Sequence, residues 1–133
     1  MVDVEVLGTA LLPDGPRPAQ IRRLCVEVSS HLGVPDGHVA VEFVDAAHIA
    51  RLNGLHRGKE GATDVLSFPI DGPLPGPPGV PHELGDIVIC PEHTSDVTEA
   101  IIHGMLHLLG MDHEVDGGEM LALQTEMLAR ARR

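Results

Sequence analysis

The chain has no tryptophan, no tyrosine and only two phenylalanines among its 133 residues. A core without large rings has to be aliphatic, and the aromatic platforms on which bases can stack are nearly excluded. Cysteine is scarce as well. Cys25 and Cys90 stand far apart with no CxxC spacing, which excludes a disulfide framework and leaves two buried apolar fillers. Positive charge is the third shortage: nine Lys and Arg face twenty Asp and Glu, a formal charge of −11 that excludes a general positive field for nucleic acid. Any contact with phosphate must be local. The basic residues are grouped, at Arg22–Arg23, at Arg51 with Arg57 and Lys59, and at Arg130, Arg132 and Arg133, and a solvated face is the default account of each group. No run approaches the roughly 20 apolar residues of a membrane span. The N-terminus, Met1-Val2-Asp3-Val4-Glu5, carries no basic segment ahead of an apolar one, so a cytoplasmic protein without a membrane partner is expected.

With 43% hydrophobic and 22% charged residues the composition is that of a globular protein, and the length suits one domain with one core. Val2, Val4 and Val6 alternate with Asp3 and Glu5, which predicts a strand over residues 2–7. After the turn Pro13-Asp14-Gly15-Pro16, residues Ile21, Leu24, Cys25 and Val28 recur at helical spacing until Gly33 and Pro35. Residues 38–44 form a second expected strand, Ala46 to Leu55 a short helix with Asp45 as N-cap, and Asp64 to Phe68 a third strand ended by Pro69. Residues 69–81 hold six of the eleven prolines and three glycines, so they form a loop, either a plain connection or a flap beside a site. The run Asp86 to Cys90 is apolar on both faces and suits a strand inside the sheet. Thr94, Ser95 and Asp96 offer N-caps to a helix running to Leu109, and Met120, Leu123, Met127 and Leu128 mark one face of a last helix over 116–129.

The decisive stretch is His103-Gly104-Met105-Leu106-His107-Leu108-Leu109-Gly110-Met111-Asp112-His113. Residues four apart on a helix share a face, so His103 and His107 can direct two imidazole nitrogens at one ion about 2.0–2.1 Å away. Gly110 lets the chain turn back, and a non-helical turn through Met111 and Asp112 brings His113 round as a third ligand with a fourth position left open. In a chain with nine histidines one pair at this spacing can arise by chance, but the turn glycine and third histidine make a metal site the better account. Zinc suits the set, as do other divalent transition metals. The spacing matches the HExxHxxGxxH motif of metzincin peptidases except that Gly104 stands where their catalytic Glu would be. Glycine has no group with which to take a proton from water, so peptidase chemistry is disfavoured.

With that glycine, the stretch resembles the HGxLHLxGYDH signature of the YbeY family of bacterial rRNA maturation endoribonucleases. Upstream, Asn53, Arg57-Gly58-Lys59, Thr63-Asp64-Val65-Leu66-Ser67-Phe68-Pro69 and Leu84-Gly85-Asp86-Ile87 follow the family's pattern in the same order. The resemblance implies a single small α/β (α+β) domain with a mixed sheet of about four strands, packed helices and a metzincin-like zinc helix. It implies one Zn2+ on His103, His107 and His113, Arg57 as the active-site arginine, and cleavage of single-stranded RNA in 16S ribosomal RNA maturation and ribosome quality control. The implied partners are rRNA and the ribosome or its small subunit, with no DNA. Met111 stands where the family has Tyr, and the segment from Cys90 to Ile102 looks short for the family.

Three neutral imidazoles leave the charge of an ion uncompensated, so water it activates can attack phosphorus while the planar fork of Arg57 holds two phosphate oxygens. Asp112 and Glu114 flank the third ligand, where either can orient an imidazole or accept a proton. Asp64, Ser67, His56 and Lys59 are further candidates for support or substrate contact, although turn and strand hydrogen bonding accounts equally for Asp64 and Ser67. Two other functions compete: a metallopeptidase using another base, and a non-catalytic ribosome assembly factor with structural zinc. Structural zinc is usually closed by four protein ligands, which ranks that last reading lowest.

Overall fold

A computed structural model describes residues 1–133. The first strand, β1 (Asp3–Leu7), leads through a short 3-10 turn at Thr9–Leu11 into α1 (Pro18–His31), which returns the chain to β2 (His38–Phe43). There follow α2 (Ala46–Arg57), β3 (Val65–Pro69), β4 (Glu83–Ile89), a 3-10 turn at Pro91–His93, α3 (Val97–Leu108) and α4 (Glu119–Ala131). The sheet order is β1-β2-β4-β3, with β1, β2 and β4 parallel and β3 antiparallel at the edge beside β4. This is the mixed four-stranded α/β domain expected.

The two faces of the sheet are covered unequally. Val39, Val41 and Phe43 from β2, with Ile87 and Ile89 from β4, meet α1, α3 and α4 in the main core. Val88 and Leu66 face the other way, closing a small second core with Ile49 of α2. The interior strand β4 is therefore apolar on both faces, as its sequence requires. A register shift against His38/Val39 interrupts its pairing, which is why Leu84 and Ile87, of opposite parity, both reach the main core. Cys25 and Cys90 are free and buried, and burial pushes the Cys25 thiol up to about 12, an inert filler rather than a nucleophile.

Two boundaries differ from expectation in ways that matter for the site. The helix expected to end at Leu55 runs on to Arg57 and closes on Gly58, which carries Arg57 on the last turn of a regular element. The last helix starts at Glu119 rather than at 116. Asp116 stays outside it and accepts from the backbone N–H groups of Gly118 and Met120, so a residue that looked like the first turn is a cap. The proline-rich segment is a loop, tied at its start by Asp71 accepting from Glu83 N–H (2.8 Å) and by His82 Nε2 on the Gly72 carbonyl (2.7 Å).

Candidate metal centre

The site is built on the C-terminal half of α3. Asp96 opens that helix by accepting from Glu99 N–H, and Ile101, Ile102, Met105, Leu106 and Leu108, all fully buried, anchor its inner face on the sheet. His103 and His107 are left half-exposed on the opposite side. The helix ends in a Schellman turn: Gly110 N–H donates to His107 O (3.1 Å) and Met111 N–H to Leu106 O (2.9 Å). Gly110 adopts φ 94°, a value that L side chains rarely hold, and it is this reversal that returns the chain toward the two histidines. Asp112 then accepts from Glu114 N–H (3.0 Å), fixing the turn on which His113 is carried.

His103, His107 and His113 converge, with ring centroids 4.7, 5.1 and 5.3 Å apart and one ligand nitrogen from each within 4.8 Å of the others. The hydrogen bonds decide the tautomers. His103 Nδ1 meets the Gln124 Oε1 at 2.8 Å and His107 Nδ1 meets the Met111 carbonyl at 3.0 Å. Carbonyl oxygens only accept, so both Nδ1 atoms carry the proton and both Nε2 atoms present lone pairs. Those two Nε2 atoms lie 3.2 Å apart. Two lone pairs at that distance repel unless a cation is shared between them, and ligands about 2.0–2.1 Å from a tetrahedral ion sit about 3.3 Å from each other. His113 Nδ1 is buried with no hydrogen-bond partner, an arrangement that costs about 1–3 kcal/mol when nothing fills it. Burial first, then the neighbouring His103, holds the His107 imidazole below its ordinary value, against the pull of the Met111 carbonyl. The neutral imidazole that a metal needs is thereby favoured. The donor set fits a divalent transition metal.

Gly104 has a second reason to be glycine. A Cβ there would fall 2.6 Å from Ile87 Cγ2, so the position faces β4 at close approach. The helix could not keep this seat with any side chain at 104, a glutamate included. Gly104→Ala is expected to lower stability by about 1–3 kcal/mol through overpacking. Chemical denaturation checks it, and an unchanged midpoint would contradict the close fit.

The histidines open on a cleft of about 870 Å³. The structure brings His56, Arg57, Asp64, Ser67 and Asp112 to its walls, and Glu114 with them. Lys59 does not line it. Arg57 is exposed and forms no ion pair, unlike Arg130 and Arg132, so its guanidinium is uncommitted. Ser67 lines the cleft from the edge strand, flanked by Leu66 and Phe68 of the second core. Asp64 accepts from Val65 N–H (2.8 Å) and from Thr63 Oγ1, the turn role that its position suggested, while its carbonyl takes Cys90 N–H. The His56 ring packs edge-on to Phe68 at 5.0 Å. Buried Asn53 holds the segment between Arg57 and Asp64 by donating from Nδ2 to the Gly61 carbonyl (3.0 Å).

Three participants were not singled out from the sequence. Glu99 stands one turn before His103 on the same face and lines the cleft, a position readable from its spacing of four. Gln124 interrupts the apolar seam of α4, also a readable signal. The Met111 carbonyl has no sequence signal, and it shows why a phenol is dispensable there: the backbone, not the side chain, supports His107.

The family model described as Endoribonuclease YbeY matches residues 18–132. Endoribonuclease YbeY of Corynebacterium glutamicum is 42% identical over 115 residues, 71% of this chain and 59% of that protein, so the chain spans about three-fifths of that relative's length. The Alteromonas mediterranea protein of the same name is 34% identical over 132 residues, 88% of this chain and 81% of its own. The Micrococcus luteus one is 39% identical, with 80% and 79% covered. A solution structure of a Thermotoga maritima protein superposes with a TM-score of 0.58 at 27% identity, over 96% of this chain and 88% of that one. Sequence and fold agree, and the chain belongs to the Endoribonuclease YbeY family.

Proposed function

We propose that the chain is a zinc-dependent endoribonuclease that hydrolyses single-stranded RNA, acting in the cytoplasm on ribosomal RNA at the small subunit. The observation that carries this is the pairing, in one cleft, of three converging imidazoles with an uncommitted arginine. Held by His103, His107 and His113, zinc supplies Lewis acidity and water of lowered pKa. The other steps belong to the protein. Arg57, on the last turn of α2, offers a planar fork to two oxygens of the scissile phosphate and neutralises the charge that gathers there. Ser67 presents a hydroxyl from the edge strand to the ribose–phosphate chain. Asp64, Asp96 and Asp112 are occupied by backbone N–H groups, which leaves Glu99 and Glu114 as the cleft carboxylates free to hold a proton. Gly104, facing the sheet, supports this chemistry over peptide hydrolysis.

The cleft lining carries five carboxylates and only one Lys or Arg, Arg57. Such a wall repels a polyanion until a divalent cation offsets it. Removal of metal by a chelator is therefore expected to abolish RNA binding as well as cleavage, and zinc to restore both. Labelled single-stranded RNA and a duplex of the same sequence, each assayed with loaded and stripped protein, check this. Cleavage that survives the chelator, or a duplex cut as fast as the single strand, would count against the proposal.

A further inference from the structure

The C-terminal helix supplies no ligand, yet it grips the metal-bearing helix at two places. Along α4, Met120 and Met127 are buried in the main core, and Gln124 lies between them on the same face. A polar amide on an apolar seam is unfavourable unless it is paired. Its partner is His103, whose Nδ1 donates to Gln124 Oε1 at 2.8 Å. Near the helix end, Arg132 forms an ion pair with Asp96, the N-cap of α3. The ligand helix is thus held at its N-cap by the residue that closes α4 and at its first histidine by the middle of α4.

We propose that α4 is a working part of the metal site, with Gln124 as the positioning residue. By accepting from Nδ1 it holds His103 in the tautomer that turns the Nε2 lone pair toward His107 and His113, and it fixes the ring's rotation. The inference rests on the metal reading above and adds a coupling to it. Metal affinity depends on the docking of α4, and by reciprocity metal tightens the docking of α4. A neutral amide also leaves His103 less electron-rich than a carboxylate partner would, so replacement by Glu keeps the hydrogen bond and strengthens the ligand.

The test is zinc affinity, measured by competition with a chromophoric chelator, for wild type, Gln124→Met, Gln124→Glu and His107→Ala. Gln124→Met is expected to bind about 10–100-fold more weakly than wild type, and Gln124→Glu to equal or exceed wild type. In side-chain nitrogen NMR spectra of the metal-free proteins, His103 should be Nδ1-protonated in wild type and a tautomer mixture in Gln124→Met. Hydrogen exchange of wild-type α4 amides should slow when zinc is added. If Gln124→Met binds zinc like wild type while His107→Ala has lost it, the inference fails and the metal reading stands. If Gln124→Glu is as weak as Gln124→Met, packing rather than the acceptor matters and the inference also fails. If wild type binds no better than His107→Ala, the metal reading itself falls. Should Gln124→Met not fold, the wild-type exchange decides: unchanged α4 amides on zinc addition overturn the coupling.

Discussion

His113→Ala is expected to lose zinc by more than the roughly 100-fold that the loss of an outer partner costs, and to reduce RNA cleavage to background. The same variant should be no less stable than wild type when both are metal-free. His113 sits on a turn after the helix, half-exposed, with a buried Nδ1 that has no hydrogen-bond partner. Removing the ring removes that unsatisfied group, worth about 1–3 kcal/mol, and little apolar packing. A loss of function joined to unchanged or raised metal-free stability is the signature of a site held at a cost by the fold around it. Metal analysis, thermal melting after chelation and a cleavage assay on one preparation check all three parts. A variant that melts well below metal-free wild type would show His113 to be a structural residue instead.

Arg57→Ala should lower cleavage by about 100- to 1,000-fold, the usual cost of removing one donor to transition-state charge, while zinc content stays at the wild-type level. The separation of the two effects follows from geometry. Arg57 ends α2 on one wall of the cleft, whereas the three histidines all come from α3 and the turn after it. Its exposure and lack of ion pairs predict wild-type stability for the variant. Arg57→Lys should recover part of the rate only, because an ammonium keeps the charge without the bidentate fork. Kinetics under single-turnover conditions check this. Equal rates for wild type and Arg57→Ala would assign the arginine to the solvated surface.

Much of this arrangement was legible before the fold was known, for a physical reason. His103, His107, Gly110 and His113 form a local motif whose geometry is set by one helix and its cap, so spacing alone specified the convergence. The strand order was not specified by periodicity, and the bulge opposite His38 that turns both Leu84 and Ile87 inward had no sequence signal. Gly104 was legible as a missing glutamate but not as a contact with Ile87, which belongs to a strand distant in sequence. Gln124 was legible as a polar break in the seam of α4 but not as the partner of His103, which lies 21 residues away on another helix. Capping residues misled once: Asp116 has the chemistry of a helix start, and two residues, Gly117 and Gly118, separate it from the first helical turn. Arg57 reached its place only because α2 continues to its C-cap glycine, one turn beyond the apolar pattern.

That three histidines hold one metal on which RNA cleavage depends is tested most directly by adding zinc in measured steps to chelator-stripped protein and recording single-stranded RNA cleavage at each step. No cleavage is expected at the start, followed by a rise that levels off at one equivalent of zinc. Full cleavage by the stripped protein, or none at any zinc level with intact RNA throughout, would contradict it.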